Sequence, residues 1–227
     1  MRIPVRMTIV SIGMTIASIP LFAADPAIAP PKSRAYSVSV SQHALITDPL
    51  NDRQVKEILA GASKILKDKG CDITFTLKGR VDRYGQNPES PLSVNASDID
   101  RVHEIKADPN ADLHVKIVEN IGSCRSFEGD FNGCAWPINF RSIIVKRDPE
   151  EGSPPGNDPR PLSSFVWAHE FGHLMGLRHS LEPNSLMTPC QIKKTDKVVS
   201  EQQCLCYLSG PGTSPNGQCD LQPVGCP

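Results

Sequence analysis

The sequence predicts a mixed α/β domain in which strands and helices alternate around one hydrophobic core. Three neighbouring segments support this fold class: residues 36–41 alternate as a half-buried strand does, residues 51–69 repeat apolar side chains at helical spacing, and residues 73–77 form a second strand-like run. A strand, a helix and a strand in direct succession favour a parallel pair of strands crossed by the helix. At 227 residues, the chain is long enough for one such domain and too short for two comfortable ones.

The N-terminus predicts export. Arg2 and Arg6 precede an apolar stretch at 7–21 that leads into Ala23 and Ala24. This order is typical of a secretory signal peptide, and the stretch is shorter than the roughly 20 residues that cross a bilayer. We therefore expect a secreted or periplasmic protein without stable membrane insertion. Its expected organisation is a signal peptide at 1–23, a linker or short pro-segment at 24–34, a folded domain at 35–208 and a cysteine-containing tail at 209–227.

The first half of the domain contains the clearest helix. Its apolar face ends at Gly70, a residue that commonly terminates helices. A short helix is then predicted at 96–105 and a strand at 111–118. Residues 135–145 predict one or two further strands, in which Pro137 favours an edge position because proline cannot donate to a strand ladder.

The second half contains two predicted helices. After a loop at 148–161, Ser163 or Ser164 is expected to cap a helix that ends near Leu174. Ser200, followed three residues later by glutamine, has the spacing of a capping box, which predicts a last helix to about Leu208.

Composition limits the partners and the redox compartment. The net charge of -1 and the pI near 6.6 provide no basic field for nucleic acid or anionic lipid. The eight cysteines all follow the apolar N-terminal stretch, and an even number in an exported chain favours disulfide bonds. Cys124 with Cys134 would close a short loop, and Cys219 with Cys226 would attach the tail, although many other pairings are possible.

One segment carries the predicted chemistry. Residues 169–179 match the pattern HExxHxxGxxH. Residues four apart share a helix face, so His169 and His173 can bind one metal ion, while Glu170 can reach a water at that metal. Gly176 can take the left-handed conformation that ends a helix and turns the chain back, which lets His179 become the third ligand. Three protein ligands and one open position are typical of a catalytic zinc site.

The extended motif resembles that of the metzincin superfamily of zinc endopeptidases. In that superfamily a methionine turn follows the histidines, and residues 185–189, with the sequence SLMTP, match it. The resemblance gives Met187 the role of an apolar floor under the zinc. Ser180 after the third histidine, and the short interval to the turn, are most similar to the matrixin branch.

The resemblance also implies a fold and a way of binding substrate. Metzincins have a twisted, mostly parallel sheet whose antiparallel edge strand binds extended peptide above the zinc, and we expect this edge within residues 130–140. Peptide paired with the edge would direct one side chain into a pocket formed by the residues after Met187. The expected wall of this pocket consists of Pro189, Cys190, Gln191 and Ile192.

The sequence departs from a plain matrixin at two points. It lacks the PRCGxPD cysteine switch, and His43, His103 and His114 do not reproduce the matrixin structural-zinc pattern. We therefore expect one catalytic Zn²⁺ and structural or surface roles for these histidines. An alternative in which Cys204 and Cys206 help to bind a second metal lacks the usual CxxC pairs.

The implied function is hydrolysis of internal peptide bonds in protein or peptide substrates, with a zinc-activated water and Glu170 as general base. One alternative is a catalytically silent zinc-binding module, which would not need the carboxylate of Glu170. The other is a zinc amidase that acts on cell-wall peptide.

Overall fold

The computed structural model describes residues 31–85, 93–95, 98, 101–102, 108–124, 127–136, 141–148, 160–188, 198–211 and 219. The longer elements among them are β1 (Ser33–His43), α1 (Asp52–Lys67), β2 (Asp72–Leu77), β3 (Asp82–Tyr84), β4 (Ser93–Val94), β5 (Leu113–Val118), β6 (Asn120–Ile121), β7 (Ser123–Cys124), β8 (Phe127–Glu128), β9 (Gly133–Trp136), β10 (Ser142–Lys146), α2 (Arg160–Leu174) and α3 (Glu201–Ser209). The predicted signal peptide and most of the predicted helix at 96–105 lie outside this description.

The main sheet has the strand order β2-β1-β5-β10-β9, and β3 extends it by pairing with β1. The pair β1 with β2 is parallel, which confirms the predicted strand-helix-strand unit, and β5 is parallel to both β1 and β10. β9 is antiparallel to β10 and forms one edge of this sheet. The mixed, mostly parallel sheet is confirmed, and its antiparallel edge lies within the expected range of residues 130–140.

The two faces of the sheet pack against different hydrophobic cores. Alternate residues of the central strands, such as Val38, Val115 and Ile143, join the larger core, to which α1, α2 and α3 contribute their apolar sides. Ile144 and Val118 lie on the opposite face and belong to a smaller core with Tyr84. Because β5 is buried at every position, it forms the centre of the domain.

The first helix forms as its sequence predicts. Asn51 caps α1 by accepting from the main-chain N–H of Gln54, and the Gln54 side chain accepts from the N–H of Asn51, which completes a capping box. Gly70 has φ of +82°, the left-handed conformation expected where the chain leaves a helix. The same reciprocal arrangement of Ser200 and Gln203 opens α3 and confirms the predicted capping box there.

The predicted cap of α2 is wrong. This helix begins at Arg160, so that Ser163 and Ser164 lie inside it. The hydroxyl of Ser164 instead donates to the carbonyl oxygen of Ile58 in α1 at 3.0 Å. A close helix crossing explains this choice, since a Cβ added to Gly61 of α1 would lie 2.2 Å from Ser164 Oγ. Serine stabilises a helix contact here rather than a helix end.

All cysteines of the described residues are in disulfides, which join Cys71 to Cys204, Cys124 to Cys134, and Cys206 to Cys219. The predicted bond between Cys124 and Cys134 is confirmed. The predicted bond between Cys219 and Cys226 is wrong, because Cys206 on the buried side of α3 is Cys219's partner. Spacing in the sequence favours a bond within the tail, whereas in the fold Cys219 is buried next to Cys206 of α3. Cys204 and Cys206 are therefore not available as metal ligands.

None of the helices formed by the described residues has the length and apolar character needed to cross a membrane.

Candidate zinc site

The histidines of the motif converge on one point. His169 and His173 lie four residues apart on α2, and their Nε2 atoms are 3.1 Å from each other. His179 lies beyond the end of α2, and its Nε2 is 3.3 Å from that of His169 and 3.1 Å from that of His173. These histidines are the one group in the described part of the chain whose ligand atoms could hold a metal ion together.

The turn at Gly176 brings the third histidine back to the helix. Gly176 has φ of +89°, and its N–H donates to the carbonyl oxygen of His173 at 3.0 Å. The N–H of Leu177 donates to the oxygen of Gly172 at 2.9 Å. Such paired hydrogen bonds around a left-handed glycine end the helix and reverse the chain. The conformational freedom of glycine at 176 is therefore what allows His179 to face His169 and His173.

Main-chain carbonyls orient two of the rings. His169 Nδ1 donates to the oxygen of Leu186 at 2.8 Å, and His173 Nδ1 donates to the oxygen of Leu177 at 2.7 Å. A carbonyl oxygen can only accept, so the proton of each neutral ring is on Nδ1 and the lone pair of Nε2 points to the shared centre. This is the arrangement that metal-binding histidines adopt.

The geometry fits zinc. Tetrahedral zinc with Zn–N bonds of about 2.0–2.1 Å places its nitrogen ligands about 3.3–3.4 Å apart. The separations of 3.1 to 3.3 Å are close to this value. The Nε2 lone pairs of His169 and His173 repel each other at this separation, and a cation at the centre would remove that repulsion.

Glu170 is buried beside this centre, against the edge strand. Burial raises the pKa of its carboxyl group to about 8. A Cβ added to Gly133 of β9 would lie 2.6 Å from Oε1 of Glu170 and 2.6 Å from its Cγ. Only glycine leaves room for the carboxyl group at this position, so the helix and the edge strand meet through Gly133 and Glu170.

Met187 lies on the helix side of the site and is fully buried. A Cβ added to Gly172, between the two helical histidines, would lie 2.6 Å from Met187 Sδ and 2.7 Å from the hydroxyl oxygen of Tyr207. The N–H of Ser180 donates to the oxygen of Met187 at 2.8 Å, which ties the third histidine to the methionine turn. The turn thus packs under α2 and also supplies the Leu186 carbonyl that orients His169.

The free edge of β9 has main-chain groups directed away from the sheet. The N–H of Lys146 donates to the oxygen of Asn132 at 3.0 Å. Because hydrogen-bonded and non-hydrogen-bonded pairs alternate in an antiparallel ladder, the main-chain groups of Gly133 and Ala135 point away from β10. In the described part of the chain no strand covers this edge, which makes it a possible binding site for an extended peptide.

The structure also places the other predicted residues. His43 and His114 are buried in β1 and β5, and His114 Nδ1 is hydrogen bonded to Ser39 Oγ at 2.6 Å. The side-chain hydroxyl of Thr188 donates to the carbonyl oxygen of Ser185 at 2.9 Å. His103 and the expected pocket wall, residues 189–192, lie outside the described residues.

Sequence reasoning missed Gly133 and Tyr207. The sequence contains no pattern that distinguishes Gly133 from other glycines, since its contact with Glu170 spans two distant elements. Tyr207 donates from its hydroxyl to the carbonyl oxygen of Ala168 at 2.6 Å, next to the first histidine. The sequence places it only within the predicted last helix, and no motif distinguishes it there.

Comparison with known proteins agrees with this geometry. The family model described as matrixin matches residues 146–203, which include all three histidines and the methionine turn. Archaemetzincin from Methanopyrus kandleri is similar in structure, with a TM-score of 0.52 at 14% identity over 78% of this chain and 96% of that one. A zinc-dependent peptidase from Methanocorpusculum labreanum is similar with a TM-score of 0.46 at 16% identity, over 75% of this chain and 99% of that one. No curated protein matches the chain in sequence.

The matched segment is similar to the matrixin family model and the fold is similar to that of archaemetzincin, and together they support a metzincin-type zinc metallopeptidase. Within this class, the segment around its histidines has the sequence pattern of the matrixins.

Proposed function

We propose that the protein is a secreted endopeptidase that hydrolyses internal peptide bonds of protein substrates. In this proposal His169, His173 and His179 bind one zinc ion, and Glu170 is the general base. The observation that carries it is the convergence of the three Nε2 atoms on the helix end where the buried Glu170 contacts β9, an edge that no other described strand covers.

The three histidines would bind the ion through Nε2, with rings held by the Leu186 and Leu177 carbonyls. Zinc bound there supplies Lewis-acid chemistry, which polarises a carbonyl group and makes water more acidic. Met187 is proposed as the apolar floor of the site, since it is buried against Gly172.

Glu170 would take the proton from the attacking water and return it to the departing amine. The position of Glu170 supports this role, because it directly follows the first proposed ligand on α2 and is buried. The contact with Gly133 holds the carboxyl group next to the strand on which a peptide would lie.

The substrate would pair with β9 as an extended strand. Gly133 and Ala135 offer outward-pointing main-chain N–H and carbonyl groups for this pairing. Hydrogen bonds to main chain read no side chain, so selectivity would come from a pocket, for which Pro189, Cys190, Gln191 and Ile192 are our proposed wall.

Secretion is supported by the disulfides at Cys71, Cys124 and Cys206 and by the signal-like N-terminus. The proposed organisation is a signal peptide at 1–23, a linker or short pro-segment at 24–34, a catalytic domain at 35–208 and a tail at 209–227. β1 begins at Ser33, two residues before the proposed start of the domain, and Arg34 donates to the carbonyl oxygen of Leu208 at 2.8 Å, so the chain at this start contacts the end of the domain.

The test is Glu170→Gln, which keeps the shape of the side chain and removes its basicity. We expect one zinc per chain in both proteins, and a fall of about 10²–10⁴-fold in the rate of casein cleavage for the variant. Wild-type cleavage should also stop with a zinc chelator and return with added zinc.

Two alternatives give different results. Equal cleavage by wild type and Glu170→Gln would remove Glu170 from the mechanism, and absence of cleavage by zinc-loaded wild type would favour a silent binding module. Release of amines from cell-wall peptide without cleavage of casein would identify an amidase.

A further inference from the structure

The tail of the chain contacts the turn that positions the third histidine. A Cβ added to Gly176 would lie 2.9 Å from the carbonyl oxygen of Cys219 and 3.2 Å from its Cβ. Cys219 is buried, with 4% of its surface exposed. The main chain at Cys219 therefore packs directly on the residue at which the chain reverses between His173 and His179.

A disulfide keeps Cys219 at that position. Its partner Cys206 is completely buried on α3. The same helix is anchored to α2 next to the motif, because Tyr207 donates to the oxygen of Ala168 at 2.6 Å. Cys219 is thus joined covalently to an element that is itself fixed to the histidine-bearing helix.

We propose that the Cys206–Cys219 disulfide is a clamp that holds the Gly176 turn, and that Cys219 is a positioning residue for zinc binding. The inference rests on the proposed ligation by His173 and His179. It adds a supporting contact to the zinc site from a part of the chain that lies outside the segment matched by the matrixin model.

The physical reason lies in the turn itself. Gly176 has φ of +89°, and glycine has more backbone freedom than any other residue. A turn that is not held in place would therefore lose conformational entropy when His179 binds the metal. The turn also contains the Leu177 carbonyl that orients His173. Packing by Cys219 restricts this turn before metal binds, which increases affinity through preorganisation.

The experiment compares two disulfide deletions in the full chain. Cys206→Ala with Cys219→Ala removes the clamp, and Cys71→Ala with Cys204→Ala removes a disulfide that attaches the beginning of the same helix elsewhere. Zinc transfer to a chromogenic chelator measures affinity and dissociation rate without any substrate, and thermal unfolding of the zinc-free proteins measures stability.

We expect the two readouts to rank the variants in opposite order. The Cys71–Cys204 bond spans 133 residues and Cys206–Cys219 spans 13, so loss of the former should lower stability more. Loss of the clamp should lower zinc affinity by about 10-fold or more, as loss of groups that support ligands does, while the control stays close to wild type. Equal losses of zinc affinity in the two variants, or an unchanged affinity without the clamp, would overturn the proposal.

A second measurement applies if the clamp variant does not fold. Wild-type protein is reduced partially, and mass spectrometry locates the opened disulfides. Zinc release should accompany opening of Cys206–Cys219. Release that follows Cys71–Cys204 instead would contradict the clamp. Zinc bound by untreated wild type tests the ligation itself, so failure of the clamp and failure of the site are distinguishable.

Discussion

Buried polar side chains have different surroundings on the two faces of the sheet. Beside the helix-covered face, His169, His173 and His179 direct their lone pairs to one point. On the opposite face, the buried side chains of His114 and Lys116 each contact a hydroxyl group of β1, with distances of 2.6 Å to Ser39 Oγ and 2.8 Å to Ser41 Oγ.

The difference teaches how a structural histidine can be told from a ligand. On the opposite face His114 and Lys116 each bond to a hydroxyl group on the adjacent strand, so the burial of these two side chains is compensated locally. At the zinc site the Nδ1 atoms of His169 and His173 use main-chain carbonyls, and their Nε2 atoms converge with that of His179 on one point. Convergence of ring nitrogens on one point, rather than burial, therefore distinguishes a candidate metal ligand from a structural histidine.

The largest difference in zinc binding and activity is expected between substitution of a histidine at the zinc site and substitution of a histidine on the opposite face of the sheet. His173→Ala removes one of three ligands, so we expect loss of stoichiometric zinc and casein cleavage at background level. His114→Gln is the matched control, because glutamine can still bond Ser39, and it should keep both zinc and activity. Metal analysis and a cleavage assay measure this. A zinc-free but active His173→Ala protein would break the comparison.

A smaller effect is expected at the edge strand. Gly133→Ala places a methyl group 2.6 Å from Glu170 Oε1, and the carboxyl group must move. Misplacement of a catalytic group by about 1 Å can cost about 10²-fold, so kcat should fall by roughly 10- to 100-fold with zinc content unchanged. Ala135→Gly, on the same face of β9, is the control and should change kcat little. If both variants lose kcat equally, the effect comes from the strand and not from contact with Glu170.

The smallest expected effect is a change in the pH dependence of stability, caused by His114 on the opposite face of the sheet. Burial, together with the neighbouring Lys116 charge, lowers the pKa of His114 below its ordinary value of 6.5. The unfolded chain therefore binds this proton more readily, so the stability contributed by neutral His114 is complete above pH 6.5 and is lost as pH falls through the lower folded pKa. Zinc-loaded wild type should lose more stability over this range than zinc-loaded His114→Gln, as denaturant unfolding at several pH values would show. Parallel curves would contradict the assignment.

Most of the main elements could be predicted from local pattern. The capping residues Asn51 and Ser200, the left-handed Gly70 and the strand-helix-strand order all act over a few residues, so the sequence shows them directly. The cap of α2 could not be predicted in this way, because Ser164 bonds to α1, which lies far from it in the chain.

The features of the site likewise divide into those that local sequence pattern predicts and those that distant contacts decide. The motif spacing alone determined which histidines could share a metal and where the chain must turn, since helical geometry places residues four apart on one face. Tertiary structure alone decided that Glu170 lies against Gly133 and that Cys219 packs on Gly176. These contacts join segments far apart in the chain, and no local periodicity encodes them, because they exist only when the sheet, α2 and α3 pack together.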